Sequence, residues 1–211
     1  KNYSLNLMYH LVYRSFQKII RKEHVITHLA SYIKKKKILN IYDIGCADSF
    51  ILNFIDYKKK KLNYFGFDQN NDFIKKNKTK FVNYKNLKFY NKSVFQLQKL
   101  EFKKKSIILL CGIVHHVSDE EIIPFIENVK LQKKVIFAID PLRKKNQTLL
   151  NRILIKYDKG KYIRNAKRYN VIFKGFDKIL YNNFLKVRYN HIMHLLNLDK
   201  NTFKKILYKK K

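Results

Sequence analysis

The chain has 211 residues, of which 46% are hydrophobic and 15% aromatic, enough for one domain with a real core. This composition excludes a disordered polyelectrolyte, and no apolar run approaches the roughly 20 residues that a transmembrane helix needs. Lys and Arg number 47 against 15 Asp and Glu, so the formal net charge of +32 makes this a basic protein.

The excess of lysine has two explanations. A polyanion partner, either nucleic acid or an anionic membrane face, is the functional one. The other is an A/T-biased genome, because Asn, Ile, Phe and Tyr are also frequent while Gly and Pro number only 5 and 2. The basic runs are separated along the chain, so we favour a solvated surface, with nucleic acid possible but not favoured. The runs are residues 34–37, 58–61, 103–105 and 209–211.

Apolar residues recur at roughly helical spacing over residues 5–33, with Arg and Lys between them, which predicts an N-terminal helix. Such a helix either packs over a sheet edge or covers a substrate pocket as a lid. A basic amphipathic helix is also compatible with peripheral membrane contact. We see no signal peptide and expect a cytoplasmic, reduced chain, since two cysteines do not make a disulfide framework.

Residues 38–55 organise the rest of the chain. The apolar, β-branched run 38–44 predicts a buried strand, Gly45 a sharp bend, and residues 50–55 the start of an apolar helix. Strand, turn and helix in this order build one edge of a nucleotide site. A dinucleotide fingerprint needs further glycines beside the pyrophosphate, and only the first is present, which favours a cofactor without phosphates.

The next strand also ends in a chemically useful residue. Residues 62–68 predict a second strand that ends in Asp68, where a carboxylate can accept both ribose hydroxyls of an adenosine. The alternative is a strand-end acid that caps the following turn. A short lysine-rich helix over 73–80 and a third strand over 86–91 follow.

A continuous apolar run at 106–111 predicts a central parallel strand buried on both faces, broken by Gly112. The acids after Ser118 predict the first turn of a helix. His115 and His116 lie between, where an imidazole can take a proton from a hydroxyl acceptor. The alternative is a loop histidine bonded to backbone. We expect no metal site, because no ligand set with suitable spacing accompanies them.

These stretches together resemble the class I S-adenosylmethionine-dependent methyltransferases of the small-molecule type. Asp43 and Gly45 match motif I of that family, commonly Asp/Glu-x-Gly-x-Gly-x-Gly, while Ala47 and Ser49 stand where glycine is usual. The resemblance implies an α/β, Rossmann-like fold: a mostly parallel seven-stranded sheet with an antiparallel last strand and helices on both faces. It also implies S-adenosyl-L-methionine as cofactor. The implied cofactor-binding residues are Asp43, Gly45, Cys46, Ala47, Asp68, Gln69, Ser93, Val94, Cys111 and Gly112.

Residues 134–141 predict the fifth strand. The segment 147–169 resembles a stretch after the fifth strand in some bacterial methyltransferases, and it is long enough to fold over an acceptor pocket. We therefore expect acceptor contacts from Asp158, Tyr162 and Arg164, since Arg can hold an anionic group by two hydrogen bonds. The alternative is that Asp158 and Arg164 merely pair. Residues 184–189 and 191–196 predict the last two strands, an antiparallel hairpin at the sheet edge, with its histidines structural.

We draw a single methyltransferase-like domain over residues 1–211, because no Pro/Gly/Ser linker divides it. Its predicted parts are an N-terminal helical cap (1–33), a cofactor-binding core (34–141), a helical acceptor-side segment (142–180) and C-terminal strands (181–211). The sequence does not indicate an oligomeric state.

The favoured hypothesis is methyl transfer to a small-molecule, lipid or sugar acceptor, at oxygen, with His115 or His116 as base. Three alternatives remain open. They are an RNA-directed methyltransferase that uses the basic surface, a non-catalytic methyltransferase-like binding protein, and a nicotinamide oxidoreductase, which the missing loop glycines disfavour. Fold alone does not decide among them.

Overall fold

The structure is a computed structural model that describes residues 25–58, 61–147, 160–181 and 191–198, with single positions at 149, 152, 155, 156, 158 and 201. The strands are β1 (Asn40–Ile44), β2 (Asn63–Asp68), β3 (Leu87–Asn91), β4 (Ser106–Cys111), β5 (Val135–Pro141), β6 (Asp177–Tyr181) and β7 (His191–Leu196). The helices are α1 (Val25–Lys35), α2 (Asn71–Lys80), α3 (Asp119–Leu131) and α4 (Ala166–Ile172), with 3-10 turns at Phe50–Asn53, Phe95–Leu97 and Val114–His116.

All seven strands form one sheet in the order β3-β2-β1-β4-β5-β7-β6. Strands β1 to β5 pair in parallel, and β7 runs antiparallel to both β5 and β6. The predicted mostly parallel sheet with an antiparallel last strand is therefore confirmed. We call the end where β1 to β5 begin the amino edge and the end where they finish the carboxyl edge. The loops that follow β1, β2, β4 and β5 meet at the carboxyl edge, where open α/β sheets bind ligands.

Helices cover both faces of the sheet because alternate strand residues point to opposite faces. On one face Tyr42 and Ile108 pack with α3 residues such as Phe125. On the other face Ile41 and Ile107 pack with residues of α1 and α2. The central strands are consequently apolar at most of their buried positions, which is why these runs could be recognised as buried parallel strands.

Two predicted elements differ from the structure. The chain after Ser49 makes a 3-10 turn at Phe50–Asn53 rather than an apolar helix, because one turn already buries Ile51 and Leu52. The sixth strand is Asp177–Tyr181, earlier than predicted, while residues 182–190 lie outside the described residues.

Of the predicted N-terminal cap, the structure describes the helix α1 (Val25–Lys35), and residues 1–24 lie outside the described residues. Within the described ranges, none of the helices combines the length and the apolar character needed to cross a membrane.

Candidate active site

The turn after β1 is built around Gly45. The backbone N–H groups of Gly45 and Cys46 both donate to the carbonyl of Phe67, which ties this turn to the end of β2. Gly45 has a φ of 73°, and a Cβ atom there would lie 2.7 Å from the side chain of Ile113. Glycine is therefore required, and its contact with Ile113 joins the loop after β1 to the loop after β4.

The next two positions of motif I keep a glycine-like backbone without glycine. Ala47 has a φ of 44° and Ser49 a φ of 54°, both in the left-handed region that L residues rarely adopt. Ser49 is buried, and its Oγ has no hydrogen-bond partner among the described residues. The loop thus has the course that a glycine-rich motif would give it, at a cost in backbone strain.

Asp68 closes this loop from the end of β2. Its Oδ2 accepts from the backbone N–H of Ala47 at 2.9 Å, and its Oδ1 accepts from the N–H of Asn70 at 2.8 Å. From the other side, the buried Asn77 of α2 donates to the carbonyl of Ala47 at 2.7 Å. Asn77 was not among the predicted site residues. An asparagine on the buried side of a short helix is a signal that could have identified it as a residue that holds this loop.

Asp43 and Cys46 lie beneath the loop rather than on it. Asp43 is 6% exposed, and its Oδ2 accepts a 2.6 Å hydrogen bond from the hydroxyl of Tyr64. Burial raises the pKa of Asp43 to about 6, against the lowering effect of that bond. Burial likewise raises the pKa of the Cys46 thiol, whose side chain belongs to the core. Both side chains therefore support the loop from below.

The remaining predicted cofactor residues are spread along the carboxyl edge. Gln69 is exposed, with its carbonyl held by the side chain of Asn91. Ser93 is half-buried, and its backbone N–H donates to Gln96. The last three are Val94, which is buried in the core, the half-buried Cys111, and Gly112, which turns the chain with a φ of 73°.

The histidine pair lies on the 3-10 turn after β4, beside the end of β5. The ring Nδ1 of His115 lies 2.8 Å from Asp140 Oδ1, which also accepts from the His115 backbone N–H. On its other side, the Nε2 of His115 lies 3.3 Å from Asp158 Oδ1. A Cβ atom on Gly160 would lie 2.0 Å from the His115 ring. His115 is therefore buried between two carboxylates and closed in by a glycine.

These surroundings give the two histidines different charge states at neutral pH. Bonds and charges from Asp140 and Asp158 outweigh burial and raise the pKa of His115 to about 9. Burial first, and then the His115 charge, lowers the pKa of His116 below its ordinary value. Burial raises the pKa of Asp140 against the lowering effect of His115. His115 is accordingly a cation, and the exposed His116 is a neutral imidazole. The centroids of the two rings lie 4.1 Å apart.

His115, His116 and Asp158 also bring one ligand atom each to within 4.8 Å of one another. Such a group has the composition of a metal site. A metal ion would have to displace the proton that His115 shares with its two carboxylates. The ion-paired arrangement already satisfies the His115 ring without one.

Arg164 has a structural role here, which corrects its prediction as an acceptor ligand. It donates to Asp119 Oδ1 from Nε at 2.7 Å and from Nη2 at 2.6 Å. It also donates to the carbonyls of Val114, Tyr162 and Val117. These five contacts use all the donors of a guanidinium. Nor does Arg164 pair with Asp158, the alternative from the sequence.

The segment anchored by Arg164 forms one wall of an open cavity. Tyr162 of this segment, which is 40% exposed, lies outside the lining of this cavity, and its backbone N–H donates to the carbonyl of His115. The cavity has a volume of about 520 Å³, in the range of small-molecule sites. Its lining consists of Arg143, Lys144, Gln147, Arg152, Ile155, Lys156, Asp158, Gly160 and Ile163.

No protein-family model matches the sequence, and no curated protein matches it either. Solved structures do match the fold. One is the plantazolicin methyltransferase BamL, in complex with a triazolic desmethylPZN analog and SAH, at 13% identity over 92% of this chain and 90% of that chain, with a TM-score of 0.63. Another is the methyltransferase domain of bacterial CtHen1-CN, at 10% identity over 81% and 96%, with a TM-score of 0.60.

Human N-acetylserotonin methyltransferase in complex with SAM is a third similar structure, at 15% identity and a TM-score of 0.56. The match covers 80% of this chain and 50% of the human chain, so this protein spans about half the length of that enzyme. At these identities the likeness concerns the fold. The chain has the Rossmann-like fold of class I S-adenosylmethionine-dependent methyltransferases.

Proposed function

We propose that the protein is a methyltransferase that uses S-adenosylmethionine to methylate a hydroxyl oxygen of a small-molecule, lipid or sugar acceptor. The observation that carries this proposal is the left-handed loop 45–49, which lies against the carboxylate of Asp68 at the carboxyl edge. The similar solved structures, which are methyltransferases, support the same assignment.

The residues at this edge fit the cofactor. Asp68 accepts one N–H at each oxygen, which leaves a lone pair on each for the hydroxyls of a ribose. Ala47 and Gly112, which have little or no side chain, leave room for a close approach of ligand to backbone, whereas the space beside Gly45 is filled by Ile113. A dinucleotide fits less well, because the Ala47 N–H already binds a carboxylate whose negative charge would repel a pyrophosphate.

The cofactor supplies an electrophilic methyl group when bound, and the chain supplies orientation and a proton acceptor. His116 is neutral and exposed, so we assign to it the role of taking the acceptor's hydroxyl proton on an imidazole nitrogen. His115 is charged, and its contacts with Asp140 and Asp158 fix its ring and hold the neighbouring His116 in place. Asp158 and Tyr162 remain the proposed acceptor contacts.

The test is methyl transfer from deuterated S-adenosylmethionine, followed by mass spectrometry across matched phenol, sugar-hydroxyl, lipid-hydroxyl and amine acceptors. We expect labelled ether products, and we expect His116→Gln to lower kcat by about 10²–10⁴-fold without weakening S-adenosylhomocysteine binding. His28→Gln, at a half-buried position on α1, is the control for loss of a histidine elsewhere and should leave kcat unchanged. Labelled amines alone would overturn the assignment to oxygen, and cofactor binding without any transfer would leave a non-catalytic binding protein.

A further inference from the structure

Among the described residues, the lysine runs 34–37 and 103–105 and the described ends of the run 58–61, which are separated in the sequence, meet at the amino edge of the sheet. β1 begins after residues 34–37, β4 after 103–105, and β5 after residues 133 and 134. Helices α1, α2 and α3 run back over the sheet, so their basic last turns end at the same edge. The described lysines there include Lys34, Lys35, Lys36, Lys37, Lys58, Lys61, Lys78, Lys80, Lys85, Lys103, Lys104, Lys105, Lys130, Lys133 and Lys134.

Direct contacts show that these runs are neighbours. The backbone N–H of Leu39 donates to the carbonyl of Lys105 at 3.0 Å, and the side chain of Asn40 donates to the carbonyl of Lys104 at 2.8 Å. The ammonium of Lys134 donates to the carbonyl of Lys103 at 3.2 Å. The amino ends of β1, β4 and β5 therefore present their lysines as one continuous basic surface.

Most of the acids lie at the opposite end of the sheet. The described acids of the amino edge are Asp56, Glu101, Glu127 and Asp177, and Glu127 forms an ion pair with Lys130. Codon bias explains the number of lysines but not this separation. Helix dipoles favour cations in the last turns of α1, α2 and α3, but not in the loops 36–37, 103–105 and 133–134. Nine of the 15 acidic residues lie at the carboxyl edge: Asp43, Asp48, Asp68, Asp72, Asp119, Glu120, Glu121, Asp140 and Asp158.

Exposed aliphatic side chains lie among these lysines. Leu39 is 36% exposed, Val82 73% and Leu131 82%. Leu131 ends α3 between Lys130 and Lys133, and Val82 follows the end of α2 beside Lys80. Apolar tips surrounded by ammonium groups suit the boundary between headgroups and acyl chains.

We propose that the amino edge is a docking surface for an anionic lipid bilayer. Every described cation of this edge is a lysine, a hydrated point charge that interacts with a diffuse negative surface, whereas bidentate phosphate recognition in nucleic acids favours arginine. The exposed Leu39, Val82 and Leu131 add the apolar contribution that a nucleic-acid backbone would not use. The surface is independent of the proposed methyl transfer.

This placement has a consequence for the candidate active site. The loops after β1, β2, β4 and β5 open at the carboxyl edge, on the opposite end of the sheet from the lipid. The protein would be held on the membrane with its candidate site facing the aqueous phase. The acceptor would then reach the site from solution rather than laterally from the bilayer.

The experiment is co-sedimentation of the full chain with vesicles of 70% phosphatidylcholine and 30% phosphatidylserine in 0.1 M NaCl. We expect binding that is absent with pure phosphatidylcholine and lost in 0.5 M NaCl. Each lysine near an anionic bilayer contributes about five-fold in partitioning. Combining Lys37→Gln, Lys104→Gln, Lys105→Gln and Lys133→Gln, all exposed, should therefore reduce binding by at least about 100-fold.

A matched variant removes the same charge from the carboxyl-edge side: Lys75→Gln, Lys76→Gln, Lys92→Gln and Lys167→Gln, also at exposed positions. It should keep most of the binding, while Leu131→Gln alone should weaken binding several-fold. Circular dichroism melts and S-adenosylhomocysteine titration check that each variant is folded, separately from the lipid result.

Equal loss of binding in both four-lysine variants would overturn the proposal, because bulk charge alone would then explain the attraction. Absence of vesicle binding would also overturn it. If a 30-nucleotide single-stranded RNA binds with the amino-edge lysine dependence while vesicles do not bind, the surface is a nucleic-acid site instead.

Discussion

Replacing Ser49 with glycine should stabilise the protein, which is unusual for a buried position. The left-handed backbone of Ser49 costs roughly 1–2 kcal/mol for a residue with a Cβ atom. Glycine relieves this strain, but its more flexible unfolded state lowers the free energy of unfolding by about 0.5–1 kcal/mol. Removing a buried hydroxyl without a partner recovers about 1 kcal/mol more. The net expectation is a gain of roughly 1–2.5 kcal/mol in the free energy of unfolding.

Thermal and urea unfolding measure this gain, and each kcal/mol corresponds to a rise of about 2–4 °C in Tm for a chain of this size. The matched control is Ser31→Gly at an exposed position within α1, where the same change should cost about 0.5 kcal/mol. If Ser49→Gly destabilises the protein as much as Ser31→Gly does, the left-handed strain assigned to the loop is wrong.

Three further predictions concern buried ionisable side chains. Arg164→Lys should cost about 2–4 kcal/mol of stability because it removes most of five donated bonds, whereas Arg168→Lys, at a side chain 54% exposed, should cost under about 1 kcal/mol in the same unfolding assay. The pKa of His115 is raised to about 9, so its stabilising ion pairs are fully present below pH 6.5 and are lost as pH rises through 9. Asp158→Asn should shift the His115 NMR titration to lower pH, and an unchanged titration would remove Asp158 from the pair. Burial lowers the pKa of His194 to about 3, so stability should fall as pH drops from 6.5 toward 3. That acid loss should be smaller in His194→Leu, and an identical pH dependence would contradict its burial as a neutral ring.

Most of the fold could be predicted from the sequence because central parallel strands are apolar on both faces. The runs that end at Asp68 and Cys111 gave strand bounds within a residue of those observed. The turn at Phe50–Asn53 could not be predicted, since an apolar stretch is compatible with both a helix and a single buried turn. The sixth strand was placed too late because edge strands lack this two-sided apolar pattern.

The candidate site was harder to predict because its decisive contacts are long-range. The positions of Gly45 and Asp68 follow from local strand-end chemistry, which the sequence carries. The pairing of Arg164 with Asp119 depends on how the segment after β5 folds against α3, and no local pattern encodes it. The same is true of Asp140, whose contact with His115 joins two strand ends and gives that histidine its charge.

Titration calorimetry with S-adenosylhomocysteine tests the central claim most directly. We expect micromolar binding, no binding of NADH, and a loss of at least about ten-fold in affinity in Asp68→Ala, because two hydroxyl bonds to a carboxylate are removed. Asp72→Ala, which removes an exposed acid from the first turn of α2, should bind as the unmodified protein does. Absence of S-adenosylhomocysteine binding, or binding equally strong in Asp68→Ala, would contradict the proposed cofactor site.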